Sequence, residues 1–182
     1  MLILRLILIV VISIIILLCL FFFTTPLFSK VPFIPTRKKV LNEIILALGL
    51  SSESVLYDLG CGDGRILFTA CQIYQGITCI GIEKAPFPFC VARIRKLFYK
   101  DKNVSIVYGD MFKHDLSSAT HIFLFLFPIL MDSLLPKFEK ELKPGTKVIS
   151  CDFKFSKKEP TKVIHLKANK SALNRTLYVY DF

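Results

Sequence analysis

Residues 55–66 read VLYDLGCGDGRI, a short apolar run followed by glycines at three alternate positions. The apolar part has the length and composition of a buried β-strand. Glycine reaches backbone conformations that other residues rarely adopt, so Gly60, Gly62 and Gly64 predict a tight turn out of that strand. Residues 65–74 then repeat apolar side chains at helical spacing. The stretch therefore predicts a strand, a bare turn and a helix, which is the repeating unit of an α/β fold.

The rest of the chain alternates strand and helix patterns in the same way. Further strands are predicted over residues 77–83, 104–110, 120–127, 146–153, 161–168 and 175–182. Helices are predicted over residues 37–48, 85–99 and 129–142. This order predicts a doubly wound, mostly parallel sheet with an antiparallel C-terminal hairpin, formed by one domain over residues 40–182.

Two classes of cofactor bind at such a glycine turn: phosphate-bearing dinucleotides and S-adenosylmethionine (SAM). The dinucleotide fingerprint has its third glycine one position beyond Gly64, where this chain has Arg65. A pyrophosphate on the helix N-terminus also disfavours nearby carboxylates, yet Asp58 and Asp63 flank these glycines. SAM carries a sulfonium and an ammonium, which tolerate carboxylates. The charge of the turn therefore favours SAM over a dinucleotide or a purely structural turn.

Two further acidic residues fit an adenosyl cofactor. Glu83 ends the second predicted strand, where a carboxylate can accept hydrogen bonds from both ribose hydroxyls. Asp110 follows the third strand, where it can accept a hydrogen bond from the adenine amino group while Met111 lies against the ring. Each also has a structural interpretation, since Glu83 can be a solvated strand end and Asp110 a turn former.

The motifs DLGCGDGR, Glu83 and GDMF together resemble the class I, seven-strand SAM-dependent methyltransferases over about residues 40–182. The apolar N-terminus, VPFIPT, DLGCGDGRI and FLFPILMDSLLPKFEKELKPGTKVIS resemble one branch of them, the protein lysine methyltransferases. That branch includes mitochondrial membrane-anchored enzymes acting on the ATP synthase c-subunit and on adenine nucleotide translocase, and an archaeal broad-specificity enzyme.

The resemblance implies a role for the segment before the domain. In that branch the segment matching PFIPT packs over the methionine end of SAM, so Thr36 is expected to contact the cofactor. Two departures concern the acceptor side. The chain has no tryptophan, and Phe125 and Phe127 stand where relatives often have a tyrosine. The resemblance therefore leaves the identity of the acceptor open.

No side chain is assigned as a catalytic acid or base. A lysine acceptor must arrive as a free amine although its ordinary pKa is about 10.4, and burial among apolar side chains lowers that pKa. Aromatic residues around the end of the fourth predicted strand fit such a channel: Phe123, Phe125, Phe127, Pro128, Phe153 and Phe155. Core packing is the alternative for about half of them, and Phe127 and Pro128 fit the channel best.

The N-terminus predicts a membrane anchor over residues 1–23. Residues 6–23 carry no charge and would span about 27 Å as a helix, close to the hydrocarbon thickness of a bilayer. A cleaved signal peptide is the alternative, but bulky residues occupy the region where a cleavage site would lie. Prolines at positions 26, 32 and 35 then predict an extended linker over residues 24–39, and the resemblance implies that this segment also covers the cofactor.

Flanking charge predicts how the anchor is oriented. Lys30 and residues 37–39 are basic on the C-terminal side of the span, against Arg5 on the other side. The positive-inside rule therefore places the domain in the cytoplasm, as a single-pass membrane protein. The six cysteines and three histidines form no disulfide or metal-ligand spacing, which agrees with a reducing compartment and predicts no metal site.

The formal net charge is +10, and residues 137–175 hold eleven basic residues against four acidic ones. For an anchored domain this predicts attraction to an anionic membrane surface. RNA binding and an ordinary solvated surface are the alternatives, although no appended nucleic-acid module is apparent. The functional hypothesis is a SAM-dependent methyltransferase acting on protein lysines near the membrane. Its alternatives are a methyltransferase of small molecules, lipid or RNA, and a non-catalytic SAM-fold binding module.

Overall fold

A computed structural model describes residues 2–28, 34–99, 103–167 and 173–182. The helices are α1 (Leu2–Phe28), α2 (Leu41–Leu48), α3 (Arg65–Ile73), α4 (Pro86–Phe98) and α5 (Pro128–Glu141). The strands are β1 (Val55–Leu59), β2 (Thr78–Glu83), β3 (Val104–Tyr108), β4 (His121–Leu124), β5 (Lys147–Cys151), β6 (Lys162–His165) and β7 (Thr176–Asp181). A short 3₁₀ turn, Lys38–Val40, precedes α2.

The seven strands form one sheet in the order β3-β2-β1-β4-β5-β7-β6. All neighbours are parallel except β7, which runs antiparallel to both β5 and β6. The order reverses beside β1, so the crevice at the carboxyl ends of β1, β2 and β4 is the place where such sheets bind ligands. The predicted doubly wound sheet with an antiparallel C-terminal hairpin is therefore confirmed.

Helices cover both faces of the sheet and bury two apolar layers. On one face, α2 and α3 pack Ile44, Ile45 and Leu67 against strand residues such as Leu56. On the other face, α5 packs Leu134 and Phe138 against Tyr57, Leu59 and their neighbours. Successive side chains of β1 thus enter opposite layers, as the near-continuous apolar run of a two-sided buried strand predicts. The layers hold the carboxyl ends of the strands in place.

Two predicted boundaries were wrong. The strand expected over residues 120–127 ends at Leu124, where its pairing with Leu59, the last residue of β1, also ends. Phe125 and Phe127 therefore lie in the segment between β4 and α5. The backbone was expected to be extended from residue 24, whereas α1 continues to Phe28. Pro26 lies in the last turn of α1, so the hydrogen bond that its missing N–H removes is close to the C-terminal end of the helix.

Helix α1 is long and apolar enough to cross a membrane. The qualifying stretch is Leu2–Leu20, and none of it is buried against the rest of the protein. Residues 34–37 lead from the N-terminal region into the 3₁₀ turn without helical structure. The remainder of the predicted linker, residues 29–33, lies outside the described residues.

Gly81 marks the closest approach between the sheet and the glycine turn. It pairs with Asp58 in the middle of β2. A Cβ at this position would lie 2.5 Å from Leu67 Cδ1 and 2.7 Å from Cys61 Sγ. Both neighbours are buried, so neither can move away freely. The packing of α3 on the sheet therefore requires glycine here.

We expect Gly81→Ala to lower the free energy of unfolding by about 1–3 kcal/mol, since overpacking of a core forces its neighbours to shift. For a chain of this size each kcal/mol lowers the melting temperature by about 2–4 °C. Thermal unfolding of the full chain in detergent measures the effect. Gly109→Ala is the matched control, because a Cβ there would meet nothing within 4 Å. Equal melting temperatures for the two variants would contradict the packing argument.

Candidate active site

The glycine turn between β1 and α3 has the bare, left-handed backbone that its sequence predicts. Gly60, Gly62 and Gly64 have φ values of 76°, 58° and 75°. The amides of Gly60 and Cys61 donate hydrogen bonds of 2.8 and 3.1 Å to the carbonyl oxygen of Ile82. A Cβ at Gly64 would also lie 2.7 Å from the ring of Phe68. These hydrogen bonds attach the turn to the end of β2. Residues other than glycine at positions 60, 62 and 64 would strain the backbone.

Glu83 fastens this turn to the next strand. One carboxylate oxygen accepts a 2.8 Å hydrogen bond from the Gly62 amide, and the other accepts one of 2.8 Å from the Ala85 amide. The side chain is buried at the end of β2. Each oxygen retains a second lone pair, so the position predicted for a ribose acceptor remains able to accept a further hydrogen bond.

Asp58 is the most unusual charge in the site. It is only 3% exposed at the end of β1. Within the described part of the chain, no group hydrogen-bonds its carboxylate. Burial raises the pKa of Asp58 well above its ordinary value, and the nearby Glu83 and Asp63 carboxylates raise it further. A cation bound beside it would remove this penalty.

Asp63, the second carboxylate that flanks the glycines, has partners within the protein. Arg65 donates two hydrogen bonds of 2.7 and 2.8 Å to the Asp63 carboxylate, and Arg95 donates a third of 2.9 Å. Burial of Asp63 raises its pKa, but the hydrogen bonds and charge of Arg65, with Arg95, outweigh burial and hold the pKa below its ordinary value. Asp63 is thus satisfied within the protein and orients two arginines.

Arg65 also connects the turn to the segment before the domain. Its guanidinium donates a hydrogen bond to the Thr36 carbonyl oxygen. Thr36 is buried, and the amide of the next residue, Arg37, donates a 2.9 Å hydrogen bond to Asn174 Oδ1. Residues 34–37 are therefore held at two points, one beside the glycine turn and one on the loop before β7. Thr36 thus lies next to the turn, and its contact with the cofactor stays a prediction.

Asp110 and Met111 follow β3 beside the same edge of the sheet. The amide of Gly109 donates a 3.0 Å hydrogen bond to the Glu83 carbonyl oxygen, which joins this loop to β2. Asp110 accepts a 2.9 Å hydrogen bond from Lys84 Nζ and one of 3.0 Å from the Phe112 amide, and these contacts lower its pKa. Met111 is half-buried against the apolar layer that contains Ile82. Asp110 is therefore an ionised acceptor beside Glu83.

The predicted acceptor channel divides into an aromatic cluster and core residues. Phe153 stacks on Phe125 with ring centroids 6.3 Å apart and lies 5.8 Å from Phe127. Pro128 is exposed at the start of α5. An open cleft of about 570 Å³ adjoins Phe153, between the end of β5 and the loop before β7.

Two other aromatic candidates, Phe123 and Phe155, are core residues, which is the alternative that the sequence left open for about half of the set. Phe123 and Phe155 are each 1% exposed. Phe123 is enclosed by the layer under α2 and α3, and Phe155 packs edge-on against Tyr180 and Phe138. The reason is strand alternation within β4 for Phe123, and for Phe155 a chain path that turns back over α5 and β7.

Comparison with known proteins decides the family. Residues 58–162 match the family described as the ANTKMT methyltransferase domain. A protein-lysine N-methyltransferase of Saccharolobus islandicus (strain REY15A) is 38% identical over 156 residues, 82% of this chain and 92% of that protein. The chain belongs to the ANTKMT methyltransferase domain family.

Two further relatives show how far the likeness extends. The human lysine N-methyltransferase of the ATP synthase c-subunit is 32% identical over 72% of this chain, which spans only 56% of that protein. A solved RNA methyltransferase from Salinibacter ruber, in complex with S-adenosyl-L-homocysteine, is 32% identical with a TM-score of 0.73. That comparison covers 81% of this chain and 93% of the solved one. This member of the family is a SAM-dependent methyltransferase.

The residues present fit that cofactor. A buried carboxylate that no described residue hydrogen-bonds suits the ammonium or sulfonium of SAM, and it would oppose a pyrophosphate. The left-handed glycines leave room for close approach of a ligand to the backbone. Glu83 and Asp110 supply acceptors on the two neighbouring strands.

Sequence reasoning missed the residues that hold the cofactor-covering segment. Arg65 was noted only because it stands where a dinucleotide-binding turn has glycine, and its bond to Thr36 crosses 29 positions of sequence. Asn174 lies 137 positions from Arg37. A single sequence contains no signal for pairs so far apart.

We expect Asp58→Asn to weaken SAM binding by about ten- to a hundredfold, because it removes the charge that a ligand cation would meet.

The same substitution, Asp58→Asn, should raise the free energy of unfolding of the protein without SAM. Since the folded-state pKa of Asp58 is raised, its charge costs stability once the pH rises above the ordinary carboxyl pKa. The gain is therefore absent in strong acid and present at neutral pH. Calorimetry and thermal unfolding measure the two effects, with exposed Asp181→Asn as control. Lower stability at neutral pH would contradict this account.

Arg65→Lys should release the segment around Thr36, because an ammonium cannot hold the Asp63 carboxylate and the Thr36 carbonyl in the same fork geometry. We expect SAM affinity to fall about tenfold and trypsin to cut faster at residues 37–39. Arg93→Lys, an exposed arginine on α4, is the control. Unchanged cleavage and affinity would show that Arg65 does not hold the segment.

Proposed function

We propose that this protein is a membrane-anchored SAM-dependent methyltransferase that methylates lysine side chains of proteins near the membrane. The family relationship supports methyl transfer from SAM. The names of its relatives, a protein-lysine N-methyltransferase and lysine N-methyltransferases of the ATP synthase c-subunit, support a protein lysine as the acceptor. The domain at residues 40–182 carries the reaction, and residues 24–39 connect it to the anchor.

The observation that carries the proposal is how close the aromatic cluster lies in the sheet to the buried carboxylate. Asp58 pairs with Phe123 in the ladder between β1 and β4. The chain leaves β4 directly afterwards through Phe125 and Phe127, whose rings contact Phe153. A cation site and an apolar aromatic wall are therefore neighbours on adjacent strands.

We propose the following contacts with the cofactor. Asp58 attracts the cationic methionine end, and Thr36 covers that end from the preceding segment. Glu83 accepts hydrogen bonds from the ribose hydroxyls. Asp110 accepts one from the adenine amino group, with Met111 against the ring. The glycines at positions 60, 62 and 64 let the cofactor approach the backbone.

The chemistry divides simply between cofactor and protein. When bound, SAM supplies an activated methyl group on its sulfonium. The protein must align an amine with that methyl group and exclude water. Phe125, Phe127, Pro128 and Phe153 form the proposed wall of the channel. Burial against these side chains disfavours the lysine ammonium, so its pKa falls and a free amine becomes available without a dedicated base.

The membrane anchor is α1, with its continuation to Phe28. Lys30 and the basic residues 37–39 outnumber Arg5, which supports a cytoplasmic orientation of the domain. The basic residues between positions 137 and 175 support attraction to an anionic leaflet. An acceptor that is itself a membrane protein fits this location.

RNA is the second candidate acceptor. The Salinibacter ruber structure, at 32% identity, is described as an RNA methyltransferase, and the net charge of +10 would suit a phosphate backbone. The aromatic cluster is compatible with a base as well as with a lysine stem. The test must therefore separate the two.

The experiment incubates the purified full chain with methyl-tritiated SAM and membranes from cells that lack the enzyme. We expect label in protein, recovered as methyl-lysine after acid hydrolysis. Phe153→Ala should lose at least about tenfold of this activity while SAM affinity is kept, because only the channel is altered. Exposed Leu46→Ala on α2 is the matched control.

Asp58→Ala, in which SAM binding is weakened, gives the background. Label that is removed by ribonuclease, or that extracts with lipid, would overturn the lysine assignment in favour of RNA or lipid. Incorporation equal to the Asp58→Ala background in every fraction would overturn the enzymatic assignment to an endogenous membrane acceptor.

A further inference from the structure

Helix α4 presents an apolar face to solvent. Its buried residues, Pro88 and Ala92, face the sheet. On the outward side, Leu97 and Phe98 are 81% and 83% exposed, and Ile94 is more than half exposed. The outward face of a helix on a doubly wound sheet is normally polar. Large apolar side chains this exposed, and adjacent to one another, indicate a surface that is covered by something.

The exposed residues belong to one continuous stripe. At 100° per residue, an arc of about 120° contains Phe87, Cys90, Val91, Ile94, Leu97 and Phe98. We call these six residues the α4 stripe. Arg93 lies at one border of the stripe, and Arg95, which hydrogen-bonds to Asp63, lies at the other. An apolar stripe bordered by arginines is the pattern of a helix that lies in the plane of a membrane interface.

The position of α4 in the protein agrees with this pattern. Helix α1, which is apolar enough to span a bilayer, contacts α4. With α1 in the bilayer, its contact with α4 holds α4 near the membrane surface. Arg93 is exposed beside the stripe, and its charge complements the phosphates of an anionic leaflet. A bilayer therefore fits both the apolar stripe and its basic border.

We propose that the α4 stripe inserts into the headgroup region of an anionic phospholipid bilayer and fixes the orientation of the domain on the membrane. This inference rests on the proposed anchoring by α1. A single helical tether leaves a domain free to rotate, whereas a second contact on α4 defines which face meets the membrane.

The consequence concerns the reach of the active site. Helix α4 begins three residues after Glu83, whose carboxylate accepts a hydrogen bond from the Ala85 amide at the start of that helix. A membrane contact along α4 thus sets the distance between the bilayer and the edge of the sheet that carries Glu83. Lysines of membrane proteins that lie in the headgroup region become the favoured acceptors.

The test uses the full chain in vesicles of phosphatidylcholine and phosphatidylserine. In a Cys19→Ser, Cys90→Ser background, an environment-sensitive fluorophore is attached to Leu97→Cys. A matched label is placed at Glu139→Cys, exposed on α5 across the sheet. We expect spin-labelled lipid to quench the label at position 97 several-fold more strongly than the label at position 139. Aqueous iodide should show the opposite preference.

Two outcomes would overturn the proposal. Equal quenching of both labels by iodide would show that the stripe faces water. Shielding of position 97 from both iodide and spin-labelled lipid would show that a second copy or another protein covers it. Quenching requires no methyl transfer, so failure of the lysine assignment and failure of the membrane contact are separate results.

A functional arm uses the double variant Leu97→Asn, Phe98→Asn. We expect about a fivefold or greater loss of methylation of membrane-embedded acceptors, with unchanged SAM affinity and unchanged methylation of a soluble lysine peptide. Leu46→Asn on α2 is the control for an exposed apolar-to-polar change. An equal loss toward both acceptors would contradict a role in orientation.

Discussion

The Glu83 carboxylate is the contact on which the rest of the site depends. It holds the Gly62 amide with one oxygen and the Ala85 amide with the other, so a single buried side chain joins the glycine turn to the start of α4. The Ile82 carbonyl beside it accepts from the amides of Gly60 and Cys61. A left-handed glycine turn has little intrinsic preference for one shape, and these contacts give it one. Asp58 and α4 then take positions fixed relative to the same point.

Local sequence patterns were enough to predict the sheet and most of its helices. β1, α3, β2 and α4 occur within one or two residues of their predicted bounds, because each is a periodic run with a glycine or proline close to at least one end. The errors lie where an end depends on a neighbour. β4 stops at Leu124, level with the end of β1 at Leu59, and α1 continues past Pro26 to Phe28. Such boundaries are decided by partners that periodicity does not record.

The candidate site shows the same division between local and distant information. The positions of Asp58, Glu83 and Asp110 follow from strand ends, which local patterns locate well. The hydrogen-bond and charge partners of these carboxylates do not follow from local patterns. Asp63 carries the same charge as Asp58 and lies five residues away, yet two arginines satisfy it while Asp58 has no partner within the described residues. The sequence places both carboxylates beside the glycines, and the contacts of Arg65 and Arg95 show how their environments differ.

That separation explains why a cationic cofactor suits the turn. If Asp63 were also unpaired, two buried negative charges beside Glu83 would destabilise the free protein severely, and protonation would be the more favourable response. With Asp63 neutralised by its own arginines, one uncompensated carboxylate remains among these described residues, at Asp58, which one ligand cation can balance. Arg65 contributes to both halves of this arrangement, since it neutralises Asp63 and holds Thr36 beside the turn. The charge left for the ligand and the segment that closes over it are therefore set by the same side chain.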